Sequence, residues 1–298
     1  MIEMASSMTK KLFLAEPLGF CGGVRHAVST FEKLRGEYPD EPIYVLHELV
    51  HNSVVTQAMR DKGAIFVNSV DDIPVGAVAL FGAHGVTTAT EEAAKKRNLR
   101  LSNAVCKLVV QLQEKAASFN PDIPLVFFGD RKHPEVQSIL DHAVARDIHV
   151  ISSIDDVDSL PPMERAVFLS QTTRNAEIVD AIAKRLSERI PQFDNQAHVC
   201  PTVQKHQEAV RRLAQTCDAM LIIGSQHSAN GRYLAELAGI STGHAQFVEN
   251  AQQLKPENFE NIQTLGLGTA TSTPDSVIED VIAWLHEHGF ETVKQETN

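Results

Sequence analysis

The sequence predicts an α/β protein made of three similar small α/β units with mainly parallel sheets, arranged around a pseudo-threefold axis. Two observations carry this. Three of the four cysteines punctuate the 298-residue chain at near-equal intervals, Cys21, Cys106 and Cys200, 85 and 94 residues apart, with 98 residues after the last. Each then introduces the same succession of short apolar segments, so the expected units are residues 24–105, residues 106–199, and residues 200–290 joined by residues 10–23. A chain of this length buries enough surface to fold without disulfide staples.

The elements follow in order within each repeat. A short extended stretch precedes each cysteine: Leu12 to Glu16, Arg100 to Val105, and His198 to Val199. Helical spacing of apolar residues follows it: Ala27, Phe31 and Leu34; Leu108, Leu112 and Ala116; Val210, Leu213 and Cys217. A second strand is expected at Pro42 to Leu46, Ile123 to Phe128 and Ala219 to Ile223, and a third at residues 64–67, 148–151 and 245–248. A polar linker leads to the fourth at residues 78–81, 166–169 and 264–267. Polar residues close these strands, and counting from each cysteine aligns His47, His133 and His227 with Ser228, at 26, 27 and 27 to 28 residues. Strands alternating with helices predict parallel sheets, whose carboxyl ends bind ligands. Packing around a threefold axis would bring the three cysteines and these polar ends to one central site.

Composition narrows the function. Lys and Arg number 27 against 38 Asp and Glu, a net charge of −11 that repels nucleic acid in the absence of a local basic stripe, and the sequence shows none. Residues 1–20 hold Lys10 and Lys11 but only Leu12 to Ala15 as an apolar group, which is not a signal peptide pattern. No run reaches the eighteen or so apolar residues of a membrane span. Four cysteines without close spacing fit a reducing compartment, so a cytoplasmic enzyme is expected, with no membrane or nucleic-acid partner.

Cys217 lies on an apolar helix face and reads as a core residue. Cys21, Cys106 and Cys200 occupy equivalent turns, and Cys21 sits among small neighbours in Gly19-Phe20-Cys21-Gly22-Gly23, where a helix start favours a thiolate. Structural zinc usually has a close cysteine pair, which is lacking here. Three separated thiolates suit an iron–sulfur cluster with one iron open to substrate. His47, His84, Ser228, Asn230 and Ser272 offer neutral or weakly charged donors for a phosphate-like group. No Gly-Lys-Ser/Thr phosphate loop is present, which favours a small phosphorylated metabolite over ATP. Glu135, after His133 and Pro134, is a carboxylate placed to deliver protons, with Thr172 ending the last strand of the same repeat.

At these residues the chain resembles the 4-hydroxy-3-methylbut-2-enyl diphosphate reductase family over nearly its whole length. The likeness rests on Gly19-Phe20-Cys21-Gly22-Gly23-Val24, His47-Glu48-Leu49-Val50-His51-Asn52, Ala83-His84-Gly85-Val86, His133-Pro134-Glu135-Val136, Gln171-Thr172-Thr173, and Ser228 with Asn230 before Leu234-Ala235-Glu236-Leu237. The resemblance implies a [4Fe-4S] cluster on Cys21, Cys106 and Cys200. It also implies two-electron reductive loss of an allylic hydroxyl, giving isopentenyl and dimethylallyl diphosphate. His47, His84, Ser228, Asn230 and Ser272 would hold the diphosphate, while Glu135, His133 and Thr172 manage protons and contact substrate. A ferredoxin or flavodoxin is the implied electron donor. Departures cluster near the cysteines: the family's Asp-Ala-Thr-Cys-Pro reads Asn103-Ala104-Val105-Cys106-Lys107, its Ala-Thr and Arg-Gln positions after the third cysteine read Thr202-Val203 and His206-Gln207, its Ser-Ser-Asn reads Ser228-Ala229-Asn230, and its Gly-Ala-Ser reads Ala270-Thr271-Ser272. The competing readings are a paralogue reducing another activated small molecule at such a cluster, and a non-catalytic iron–sulfur sensor. A sensor needs neither the acid nor the anion lining.

Overall fold

The computed structural model describes residues 9–293, so part of the stretch weighed above as a signal peptide, residues 1–8, lies outside them. The chain opens with β1 (Lys10–Leu14) and α1 (Gly22–Glu37), then β2 (Ile43–Leu46), α2 (Ser53–Asp61), β3 (Ala64–Val67), β4 (Val78–Phe81), α3 (Thr88–Lys96) and β5 (Arg100–Asn103). The same order returns in α4 (Lys107–Ser118), β6 (Leu125–Phe128), α5 (Pro134–His142), β7 (Ile148–Ile151), β8 (Arg165–Ser170), α6 (Ala176–Arg189) and β9 (Gln192–Asn195). It returns again in α7 (Pro201–Ala214), β10 (Ala219–Ile223), α8 (Ala229–Thr242), β11 (Ala245–Val248), β12 (Thr264–Thr269), α9 (Asp275–Glu287) and β13 (Phe290–Thr292). Among the described residues no helix is long and apolar enough to cross a membrane.

Three parallel sheets result, ordered β3-β2-β4-β5, β7-β6-β8-β9 and β11-β10-β12-β1-β13. The chain's first strand, β1, thus takes in the last sheet the place that β5 and β9 hold in the others. By compactness the chain divides into two units: residues 9–21, 51–54 and 205–293 form one, with the five-stranded sheet, and residues 22–50 and 55–204 form the other, with both four-stranded sheets.

In the larger unit the central strands are buried on both faces, which is why they are apolar throughout rather than alternating. Leu125, Phe127, Val167 and Leu169 pack against Val109, Leu112 and Ala116 of α4 and Val136 and Ile139 of α5. Their neighbours Val126, Phe128, Ala166 and Phe168 meet Val179, Ile182, Ala183 and Leu186 of α6 on the opposite face. Burying each such side chain stabilises the fold by about 1.5–3 kcal/mol. The smaller unit repeats the scheme. Met220 and Ile222 face Val210 and Leu213 of α7 and Leu234 of α8, while Leu12, Leu221, Leu265 and Leu267 face Val277, Val281 and Leu285 of α9. Close helix contact explains Gly268 in β12, where a Cβ would stand 2.6 Å from Val210 Cγ2.

Two expectations need correction. The strand before Cys200 is not at His198–Val199 but earlier, at Gln192–Asn195, where Ala166 and Phe168 of β8 pair with Phe193 and Asn195. Polar edge strands carry little hydrophobic pattern to betray them, and β13 passes unnoticed in the sequence for the same reason. The strands before Cys21 and Cys106 also end sooner than expected, at Leu14 and Asn103.

Candidate active site

Each repeated cysteine stands at the turn between an edge or outer strand and a helix, and one backbone device fixes all three. The N–H of Cys21 donates to the carbonyl of Thr271 at 2.9 Å, that of Cys106 to Ala83 at 3.0 Å, and that of Cys200 to Thr172 at 2.8 Å. Every acceptor lies two residues beyond the end of β12, β4 or β8, so the three thiols are presented in the same register. None of the three is in a disulfide, and all are half-buried. Cys217 instead packs in the apolar layer with Ala15, Val210 and Met220, as its helix face predicted. In the larger unit, burial pushes the Cys106 thiol up, the N–H groups of Leu108 and Val109 oppose this, and the charges of Cys200 and Glu135 reinforce it. Such a thiol loses its proton when it ligates a metal.

Glu135 is the second residue of α5 and is 2% exposed. Its Oε1 accepts the Thr172 N–H at 2.6 Å, and the carbonyl of the same Thr172 holds Cys200. One residue therefore ties the carboxylate to a cysteine. His133 caps α5, its Nδ1 accepting the Glu135 N–H at 3.2 Å, so a neutral ring carries its proton on Nε2 as a donor. The His84 ring meets it edge-on with centroids 5.3 Å apart. Ser138 Oγ donates to the His84 carbonyl at 3.1 Å and accepts from Gln113 Nε2 at 3.2 Å. Gly85 must be glycine: its φ is +80°, and a Cβ would approach Ser138 Oγ to 2.6 Å.

The pairing of strands revises one alignment made by counting. His47, Gly129 and Gly224 each donate their N–H to the end of the neighbouring strand, at Val67, Ile151 and Val248. His47 is thus equivalent to two glycines, not to His133. It holds a left-handed φ of 58°, rare for a residue with a Cβ, and burial lowers the pKa of its imidazole, which favours the neutral form. Four residues past this point lie His51, His133 and Ser228, so strand register nominates His51, quoted in the motif above yet not chosen. Its carbonyl accepts from Ser272 Oγ at 3.3 Å in the smaller unit.

The smaller unit holds the remaining anion-binding candidates. Ser228 caps α8, its Oγ accepting the Gly231 N–H at 3.1 Å. Asn230 is second in α8, the position that Glu135 takes in α5. It is 6% exposed, and both its Nδ2 and Oδ1 are buried without a protein partner. Such a group usually has a protein or water partner when buried, and an amide offering donor and acceptor at a helix start suits a bound oxyanion. Ser272 and Cys21 belong to the same unit; Cys106, Cys200, Glu135, His133, Thr172, His84 and His47 belong to the larger one.

Known proteins share this sequence and fold. The family described as LytB protein matches residues 12–286. A protein of Actinobacillus succinogenes named 4-hydroxy-3-methylbut-2-enyl diphosphate reductase is 34% identical over 294 residues, covering 96% of this chain and 93% of its own. A Corynebacterium glutamicum protein of the same name is 33% identical, with 97% and 91% covered. The solved structure of the E-1-hydroxy-2-methyl-but-2-enyl-4-diphosphate reductase of Plasmodium falciparum superposes with a TM-score of 0.89 at 26% identity, over 97% of this chain and 93% of that one. A match along nearly the whole chain, carried by the three-sheet fold and by relatives a third identical, establishes that this chain belongs to the LytB protein family.

Proposed function

We propose that this chain is a 4-hydroxy-3-methylbut-2-enyl diphosphate reductase, releasing isopentenyl and dimethylallyl diphosphate. The observation that carries the reading is the Thr172 peptide, whose N–H holds the buried Glu135 carboxylate while its carbonyl holds Cys200. An acid and a metal-ligand candidate are thereby fixed through one residue. Three cysteines outside any disulfide, presented by a common backbone device with Cys217 set aside in the core, fit a [4Fe-4S] cluster with three protein ligands. When bound, such a cluster supplies single electrons and a Lewis-acidic iron. We read the repeats, residues 24–105, 106–199 and 200–290 with 10–23, as three domains; each repeat's own parallel sheet supports this.

The chain's own residues then do the rest. His47, His84, Ser228, Asn230 and Ser272 bind the diphosphate, with the partnerless Asn230 amide as support, and His133 and Thr172 border the reacting end. Glu135 gives the proton with which the allylic hydroxyl leaves as water. The C–O bond breaks, two electrons from a ferredoxin or flavodoxin enter, and a second proton goes to one end of the allyl group. The end protonated decides between the two products. Cysteines outside any disulfide accord with a reducing cytoplasm.

Anaerobic incubation of iron-loaded protein with the substrate, dithionite and a viologen tests the proposal. Both products should form as viologen is oxidised. Substrate left intact by fully loaded protein overturns the reading in favour of a relative with another substrate.

A further inference from the structure

The threefold repeat supplies an internal control that exposes one residue with an unassigned task. Each of α1, α4 and α7 begins directly after its cysteine, so the sixth residue past each cysteine is equivalent: Ala27, Leu112 and His206. Ala27 and Leu112 are buried apolar residues, as that helix face requires. His206 is just as buried, at 2% exposed, and is an imidazole. Its Nδ1 lies 3.0 Å from the Thr269 carbonyl, so that nitrogen carries the hydrogen and donates.

Comparison with the loop before Cys106 explains why a donor is needed there. Beside Cys106, the residue two places earlier, Ala104, gives its N–H to the carbonyl of Phe81, the last residue of β4. The counterparts of Ala104 and Phe81 before Cys21 are Gly19 and Thr269. Gly19 has a φ of +76° and turns its N–H to the Thr269 hydroxyl instead, at 2.8 Å. That leaves the Thr269 carbonyl without the loop's N–H, and a buried carbonyl must find another donor. His206 provides it. Thr269 is thus held by its carbonyl while its hydroxyl holds Gly19, and two residues further along each segment the Thr271 carbonyl holds the Cys21 N–H.

We propose that His206 is a positioning residue for Cys21: by anchoring the Thr269 carbonyl it keeps the Thr269 hydroxyl on Gly19 and so fixes the loop that presents the Cys21 thiolate to its cluster. The proposal rests on Cys21 being a cluster ligand, and its effect is on the retention and electronic state of the cluster. Outer contacts of this kind orient ligands and tune the metal they hold.

Two measurements separate the proposal from the reading beneath it. In cluster-free protein, His206→Leu, which restores the residue type of the equivalent Leu112, should speed hydrogen exchange at the Gly19 and Cys21 amides by about tenfold, on the scale of one neutral hydrogen bond. His206→Asn, whose Nδ2 stands near the place of Nδ1, should restore protection. Thr269→Val, which removes only the hydroxyl, should reproduce the His206→Leu effect at Gly19 and serves if His206→Leu does not fold. In reconstituted protein, His206→Leu should lose iron to a chelator about 10–100-fold faster and change the reduced cluster's electron paramagnetic resonance signal, again rescued by Asn. Parent-like exchange and parent-like iron retention in His206→Leu overturn the proposal. Full iron retention in Cys21→Ser instead overturns Cys21 as a ligand, whatever the exchange data show.

Discussion

Replacing Glu135 by Gln separates a proton donor from a structural brace, because the geometry assigns different magnitudes to the two roles. The Glu135 carboxylate is 2% exposed and accepts the Thr172 N–H at 2.6 Å. An amide keeps the size and an acceptor oxygen but loses the charge and the proton. A hydrogen bond to a charged partner contributes about 1.5–3 kcal/mol and a neutral one about 0.5–1.5, so the brace weakens by about 1 kcal/mol. A positioned acid contributes at least about a hundredfold to rate, near 2.7 kcal/mol of barrier. Urea denaturation of the cluster-free protein should therefore show a loss of about 1 kcal/mol. Iron content should be unchanged, and kcat with dithionite and viologen should fall by at least about a hundredfold with little change in KM. Turnover near the parent rate with full iron refutes the acid role. Loss of iron alongside activity refutes the separation of roles, since Thr172 also holds Cys200 and the carboxylate would then act as a brace for that cysteine.

The other predictions concern single sites. Asn230→Leu should raise the melting temperature of ligand-free protein, by relieving two buried unpaired amide atoms worth about 1–3 kcal/mol, yet abolish stabilisation by added pyrophosphate; retained stabilisation removes Asn230 from the anion site. Cys217→Ala should keep all iron at a stability cost of about 1 kcal/mol, whereas Cys106→Ser should lose it, and iron analysis of anaerobic protein decides both. Asp218 has a lowered pKa because it accepts hydrogen bonds from Thr264 and Gln263. Its carboxylate thus stabilises the fold above the ordinary carboxylate pKa, and that contribution fades as pH falls through the lowered value. Asp218→Asn should melt earlier at pH 7, and the gap should close in acid; a gap that persists at low pH contradicts this assignment.

The sequence revealed those parts of the fold where one physical pattern dominates. Central strands such as Leu125–Phe128 and Ala219–Ile223 are buried on both faces and read as unbroken apolar runs. The third strands fall at residues 64–67, 148–151 and 245–248, as the spacing predicts. The edge strands Arg100–Asn103 and Gln192–Asn195 are mostly exposed and owe their conformation to pairing with β4 and β8, so the second left no pattern to read. Counting from the cysteines misaligned His47 because α1 has 16 residues and α4 only 12, so the residue just past the second strand comes 26 residues after Cys21, at His47, but 23 after Cys106, at Gly129.

The site was legible to the extent that it depends on backbone repetition. Three cysteine N–H groups pinned two residues past three strand ends are a backbone property, and near-equal cysteine spacing betrays them. Side chains at equivalent backbone places differ. The second residue of the helix is a buried carboxylate in α5 and a partnerless amide in α8, and the sixth residue past the cysteine is Ala27, Leu112 or His206. A repeat predicts that such places match; chemistry enters where they do not. Glu135 and His47 were visible because each is a polar residue at or soon after the end of an apolar strand. His206 was hidden because its acceptor, the Thr269 carbonyl, becomes available only when Gly19 adopts a left-handed φ. Asp275 and Ile278, distant in sequence, leave no room for a Cβ at Gly19, whose left-handed φ suits glycine, and it is beside this turn that a buried imidazole acquires its partner.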